Sequence, residues 1–297
     1  MSHVRDITEE AIMGLSAVVD PIPALARHHL ALREARLPFQ EIKARSRAVA
    51  PARDVIGALL RSGCGVIPEL QGLTSVDARG NGIQEVASGY EEEGAHLIAC
   101  HSEPQRFLGA LATMVQVRAA VSVPVMARGL FFDPYQIHEA RVFGADVIPL
   151  HVKYLDEYRL AALADRAESL GMTALAEVRT PEEAGRALDA GLRVLGINTS
   201  DRFTGAADKE LFAEIAAGLP ESALCVGLAG VEDSADLLSY AANGADAVVV
   251  GRVVSQGPGS RGSLRALTAA GQHPACAARR GGEGFAEGVE NTGAPSH

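Results

Sequence analysis

Tryptophan is missing from these 297 residues, and Phe, Tyr and Trp together make up only 4% of them. Any interior must therefore be aliphatic. With apolar residues at 47%, there is material for a large core without help from metal or disulfides. The four cysteines, Cys64, Cys100, Cys225 and Cys276, are scattered and form no CxxC pair. Reduced thiols in a cytosolic protein account for them better than a disulfide framework. No apolar run reaches the ~18 residues of a membrane-spanning helix, and no basic-then-apolar leader opens the chain. Lys and Arg number 27 against 37 Asp and Glu, a net charge of −10. An acidic surface argues against nucleic acid as the main partner, though local backbone amides can still capture a phosphate. Metal-ligand spacing is absent, as is a glycine-rich nucleotide loop after the first strand. The expectation is a cytoplasmic protein, monomer or homodimer, with no metal, no cofactor, no membrane and no nucleic acid, acting on a small molecule.

What is present is a repeated strand–helix grammar, clearest from Pro124 to Leu150. Val123 to Ala127 is an apolar run of strand length. Asp133-Pro134 is a helix start, an N-cap acceptor followed by proline where no N–H is needed. Apolar residues then recur at helical spacing until Gly144 ends the helix, and Asp146 to Leu150 begins another strand. Strands read at about 38–43, 96–100, 123–127, 146–150, 173–178, 193–198, 223–227 and 246–250, with amphipathic helices between them. Eight such units predict an α/β fold, a closed (β/α)8 TIM barrel, with an open doubly wound sheet as the alternative. Residues 1–270 form one domain in this reading, with a helical extension over 1–36 that Pro21 and Pro23 interrupt. The Gly-, Ala- and Glu-rich segment 271–297 is a flexible tail. The stretch between Ser46 and Tyr90 reads as a long loop after the first strand, placed to act as a lid.

In such barrels chemistry sits at the C-terminal ends of the strands, which draws attention to several residues. Glu41 and Lys43, two apart on the expected first strand, share a face; spacing alone fits a site pair or a buried ion pair equally. Glu177 closes the apolar run Thr173–Glu177, as a site carboxylate or a solvated strand end. Asn198 ends the sixth strand, as a polar ligand group or a turn residue. Gly227, Gly230 and Gly251 follow the last two strands, where barrels hold phosphate, although tight turns need glycine too. His101, His151 and Lys153 stand at strand ends as possible acid–base groups or as structural residues.

Several segments together resemble the indole-3-glycerol phosphate synthase family, over roughly residues 36 to 255. PFQEIKARS is similar to that family's first strand, where a glutamate, a lysine two on and a serine three beyond line the site. Those match Glu41, Lys43 and Ser46. Tyr90–Val125, the Pro124–Leu150 unit, Leu170–Ser200 and Gly244–Val254 follow in the family's order. The resemblance implies a carbon–carbon lyase that closes a ring on an arylamino-deoxyribulose phosphate with loss of CO2 and water. It implies Glu41, Lys43, Arg128, Glu177 and Asn198 as catalytic residues. Ser46, Gly230 and Gly251 would hold phosphate and substrate, and Arg252, where the family usually has a glutamate or a small residue, can reach a phosphate or carboxylate bidentately. Lys43 serves as acid, Glu177 and Glu41 as bases, and Arg128 as an oxyanion or carboxylate clamp.

The sequence also departs from the family. Arg128 stands where the family has a lysine acting as general acid, and arginine gives up its proton too reluctantly for that task. Ser200 replaces an arginine, Leu228 and Ala229 replace a glutamate and a serine, and the Ser-Pro-Ser-Lys run reads Ser46, Arg47, Ala48, Val49. These changes keep two alternatives in view. One is a diverged paralogue that handles a related phosphorylated substrate in secondary metabolism, and the other is a non-catalytic phosphate-binding barrel. A sugar isomerase or a Schiff-base aldolase using Lys43 is a further alternative.

Overall fold

The computed structural model describes residues 24–70, 82–101, 110–201, 204, 206–251 and 260–276. Eight parallel strands close a barrel in chain order: β1 (Gly65–Leu70), β2 (Ile98–His101), β3 (Val125–Arg128), β4 (Val147–His151), β5 (Thr173–Val178), β6 (Val194–Ile197), β7 (Leu224–Gly227) and β8 (Ala247–Val250). β8 pairs with β1 to complete the ring. The outer helices are α4 (Ile83–Glu92), α5 (Ala110–Ala120), α6 (Pro134–Val142), α7 (Glu157–Glu168), α8 (Pro181–Asp189), α9 (Lys209–Ala217), α10 (Ser234–Ala242) and α11 (Ser260–Gly271). Three more, α1 (Ala24–Arg36), α2 (Phe39–Ala48) and α3 (Val55–Leu59), precede the barrel.

The helix expected after Asp133 is there. Asp133 accepts from the Tyr135 N–H, Gln136 reaches back to close a capping box, and Gly144 at φ +99° carries the chain out.

The strand period of two sorts the apolar residues into two cores. Ile67, Ala99, Met126, Val147, Leu175, Val194, Leu224, Val226, Ala247 and Val249 point inward as one cluster, and Val55 and Leu59 of α3 join it. Helix α3 thus plugs the N-terminal end of the barrel. Outward residues such as Ile98, Val125, Ile148, Ala176, Leu195 and Val248 pack under the surrounding helices. The interior is aliphatic, as the shortage of aromatics requires.

Seven strands fall within two or three residues of their expected places, but the first does not. PFQEIKARS is helix α2, not a strand. Ile42 and Ser46, four apart, are both buried, while Glu41 and Arg45 pair on the exposed side. That is a helical period, and Gln, Glu, Lys, Ala and Arg all favour it. The real first strand is GVIPEL, inside the segment read as a lid. Pro68 hides it, because a proline within a run argues against a strand. The expectation of one long loop falls with this correction, since Ser46–Tyr90 holds α3, β1 and most of α4; residues 71–81, after β1, lie outside the described residues. The 1–23 part of the expected helical extension and the tail beyond residue 276 lie outside the described residues. No helix among the described residues is long and apolar enough to cross a membrane.

Candidate active site

Continuing the inward period by one step brings each strand to the barrel's C-terminal mouth. The residues that arrive there are Glu69 (β1), His101 (β2), Arg128 (β3), His151 (β4), Glu177 (β5) and Asn198, just past β6. Leu228 and Gly251 follow β7 and β8. The strand register sets His101 beside Arg128 and His151 beside Glu177. Below them the barrel is filled with aliphatic side chains, so these polar groups form a single charged layer capping an apolar plug.

Arg128 is the centre of that layer. Its Nε donates to Glu69 Oε1 at 3.0 Å, and its Nη1 donates to Glu177 Oε2 at 3.3 Å. Glu177 also accepts from Asn198 Nδ2 at 2.8 Å. Asn198 is fixed from its other side, because its Oδ1 accepts from the Ser200 hydroxyl at 2.6 Å and the Ser200 N–H at 3.2 Å. Arg179 in turn holds the Ser200 carbonyl. His101 Nε2 approaches Glu69 Oε1 at 3.6 Å, and His151 Nδ1 approaches Glu177 Oε1 at 3.4 Å. Both glutamates are nearly buried, with side chains 7% and 5% exposed.

These neighbours set the charge states. Burial pushes the Glu177 carboxyl up, but His151, Arg128, the Asn198 hydrogen bond and Arg179 together outweigh it and hold the group below its ordinary range. Burial likewise opposes the Arg128 charge, and Glu177 and Glu69 more than offset it, so its pKa moves up. The site therefore holds an ionised carboxylate and a permanent cation in contact. Among the described residues, no group of three His, Cys, Asp or Glu side chains is placed to hold a metal ion.

The residues expected from the sequence divide into two sets. Arg128, Glu177 and Asn198 meet at the mouth. Glu41, Lys43 and Ser46 do not, because all three ride on α2, outside the barrel. Glu41 is exposed and paired with Arg45. Lys43 sits with its Nζ 6.0 Å from the centre of the Phe39 ring. Ser46 is buried against α6, its Oγ 2.7 Å from His138 Nδ1. Glu69 was missed, although Ile67-Pro68-Glu69 has the same apolar-then-glutamate ending as Leu175-Ala176-Glu177. When the family's pattern of glutamate, lysine two on and serine three beyond is laid on β1, it reads Glu69, Gln71, Thr74. The glutamate stays, while the lysine becomes Gln71 and the serine Thr74, two positions that lie outside the described residues.

Gly230 and Gly251 follow the paired strands β7 and β8, as expected. Gly230 has φ +89°, and a Cβ there would come within 2.4 Å of the Ala207 Cβ. The turn itself therefore requires glycine. Arg252 lies outside the described residues.

The family profile described as indole-3-glycerol phosphate synthase matches residues 19–267. The relative of that name from Saccharopolyspora erythraea is 44% identical over 265 residues, covering 88% of this chain and 97% of the relative. That from Mycobacterium tuberculosis is 42% identical over 267 residues, covering 89% and 98%. Among solved structures, 3-hexulose-6-phosphate synthase superposes with a TM-score of 0.56 at 17% identity, covering 69% of this chain and 98% of that one. That likeness shows the barrel fold alone. With the profile spanning most of the chain and the relatives matched nearly end to end, the chain belongs to the indole-3-glycerol phosphate synthase family.

Proposed function

We propose that this protein is a carboxy-lyase that closes the indole ring on an arylamino-deoxyribulose phosphate. The aryl carbon bearing the carboxylate attacks the ketone carbon, and the ketone oxygen takes a proton. The carboxylate leaves as CO2, and its bonding pair restores the aromatic ring. The new hydroxyl then leaves as water while the neighbouring CH2 carbon loses a proton. This sequence needs a cation beside the carboxylate and ketone, a base for the CH2 proton, and an acid for the oxygen.

The observation that carries this reading is the Glu69–Arg128–Glu177–Asn198 chain at the mouth of a barrel of this family. Arg128 keeps its charge throughout and opposes the charge building on substrate oxygens. Glu177, ionised and fixed by Asn198, is the base. Glu69 holds Arg128 from the other side and takes the part that the sequence assigned to Glu41. Backbone amides around Gly230 and Gly251 form the phosphate corner.

Leu228, Ala229 and Ser200, in place of a glutamate, a serine and an arginine, favour a second reading within the same chemistry. In it the lyase is retuned for a related phosphorylated substrate whose polar groups differ. A purely structural barrel is disfavoured, since burying two carboxylates and a guanidinium stabilises a fold poorly compared with apolar packing. The test is turnover of carboxyphenylamino-deoxyribulose phosphate, followed by indole fluorescence and released CO2. Turnover that Glu177→Gln abolishes supports the first reading. Binding without turnover supports the second. Neither binding nor turnover overturns both.

A further inference from the structure

The whole chain contains three lysines, Lys43, Lys153 and Lys209. Lys43 is on α2 outside the barrel, and Lys209 on α9 pairs with Asp236. Lys153 is exposed on the 3-10 turn, Val152–Tyr154, that follows β4. None of the places where the family resemblance expects a lysine, positions 71, 77 and 128, has one. Arg128 does not release its proton, so the acid that ring closure requires comes from another group.

His151 has the geometry for it. Its Nε2 lies 3.2 Å from the Gly129 carbonyl oxygen. A carbonyl only accepts, so Nε2 carries a hydrogen, and Nδ1 is the nitrogen that gains and loses the second proton. Nδ1 faces the mouth, 3.4 Å from Glu177 Oε1, and the side chain is 24% exposed, open to a substrate above it. The groups around it are Glu177 on β5, Arg128 on β3 and the Tyr154 ring at 6.0 Å. Arg186 on α8 holds the Val152 and Leu155 carbonyls beneath the turn, next to Lys153. His101, the other histidine of the mouth, approaches a Glu69 oxygen that already accepts from Arg128.

We infer that His151 is the proton donor of this site, in place of a lysine; the inference rests on the ring-closing reading above. Its Nδ1–H protonates the ketone oxygen as the carbon–carbon bond forms. The ring, neutral and still held to Gly129 through Nε2, regains a proton from water. It then protonates the hydroxyl that departs as water. Glu177 takes the CH2 proton and returns it to Nδ1 across the 3.4 Å gap, which resets both groups. Two protons enter on oxygen and one leaves from carbon. The one drawn from solvent balances the loss of the carboxylate as neutral CO2.

The experiment is steady-state turnover of carboxyphenylamino-deoxyribulose phosphate against pH for wild type, His151→Gln, His101→Gln and Lys153→Met. The expected result is a wild-type kcat that falls as pH rises. His151→Gln lowers kcat by roughly 10² to 10⁴ with little change in KM and abolishes that pH-dependent fall, while Lys153→Met keeps both. A working wild type whose His151→Gln retains its kcat and pH profile overturns the donor alone, as does transfer of that signature to His101→Gln or Lys153→Met. A wild type without turnover overturns ring closure on this substrate, the first reading above, together with the donor assigned for it. Independently of activity, nitrogen NMR of the His151 ring must show the Nε2–H tautomer in the neutral form; the Nδ1–H tautomer overturns the assignment.

Discussion

Asn198 donates from Nδ2 to Glu177 Oε1 at 2.8 Å, across the seam between β5 and β6. The amide is pinned behind by Ser200, so it acts as a fixed strut rather than a swinging ligand. Asn198→Ala removes the strut and one of the contacts that keep the Glu177 carboxyl low. The expected outcome is a kcat reduced about tenfold to a hundredfold. The acid limb of the rate profile should also move to higher pH, because Glu177 then takes up a proton more readily. Ser200→Ala should move both quantities the same way by less, as it frees the far end of the same strut.

Arg128 bridges two nearly buried carboxylates. Arg128→Met leaves Glu69 and Glu177 without their shared cation, and removing one partner from such a group costs about 3 to 5 kcal/mol. Urea unfolding should show that loss. Arg128→Lys keeps the charge but not the fork that reaches both carboxylates, so its loss should be smaller. Adding Glu69→Gln to Arg128→Met should recover part of the stability, since one uncompensated charge is then gone. Strictly additive losses in the double variant would refute the bridge.

Helix α2 makes an opposite prediction. Glu41 and Lys43 lie outside the barrel, and the Glu41–Arg45 pair is a solvent-facing contact of the kind worth about 0.3 to 0.5 kcal/mol. Glu41→Ala and Lys43→Ala should therefore leave kcat unchanged. Glu69→Gln should depress it, because Arg128 loses one of its two holds. Turnover measured for all three variants checks the placement of β1 directly.

That contrast also shows what the sequence could reveal. Seven strands were legible because they are apolar runs set off by signals such as a glycine turn or a helix cap, as at Asp133-Pro134 and Gly144. Arg128, Glu177 and Asn198 were legible because they end such runs. The first strand was not. Pro68 breaks its signature, while Glu41, Lys43 and Ser46 on α2 happen to reproduce the spacing of the family's motif. Burial at Ile42 and Ser46 was the discriminating fact, a helical interval where a strand would have buried every second residue. The histidines were ambiguous for a different reason: sequence places them at strand ends, but only the Gly129 carbonyl decides which nitrogen of His151 carries the hydrogen in the neutral ring.

Two other histidines, away from the site, predict how the fold responds to acid. His96 and His138 are buried, and burial, followed by Arg61 for His96 and by Arg166, Lys43 and Arg47 for His138, lowers the pKa of each to about 4. An unfolded chain protonates its histidines near pH 6.5. Between that value and about 4 the unfolded state binds more protons than the folded one, so stability falls as pH drops through this window. Above it, the two residues contribute no pH dependence. His138→Gln keeps a partner for Ser46 Oγ on α6 while removing one titrating group. Its urea midpoint should fall less steeply than the wild type's over this window and run parallel to it at higher pH. A slope unchanged by the substitution would mean that His138 already takes up its proton in the folded state.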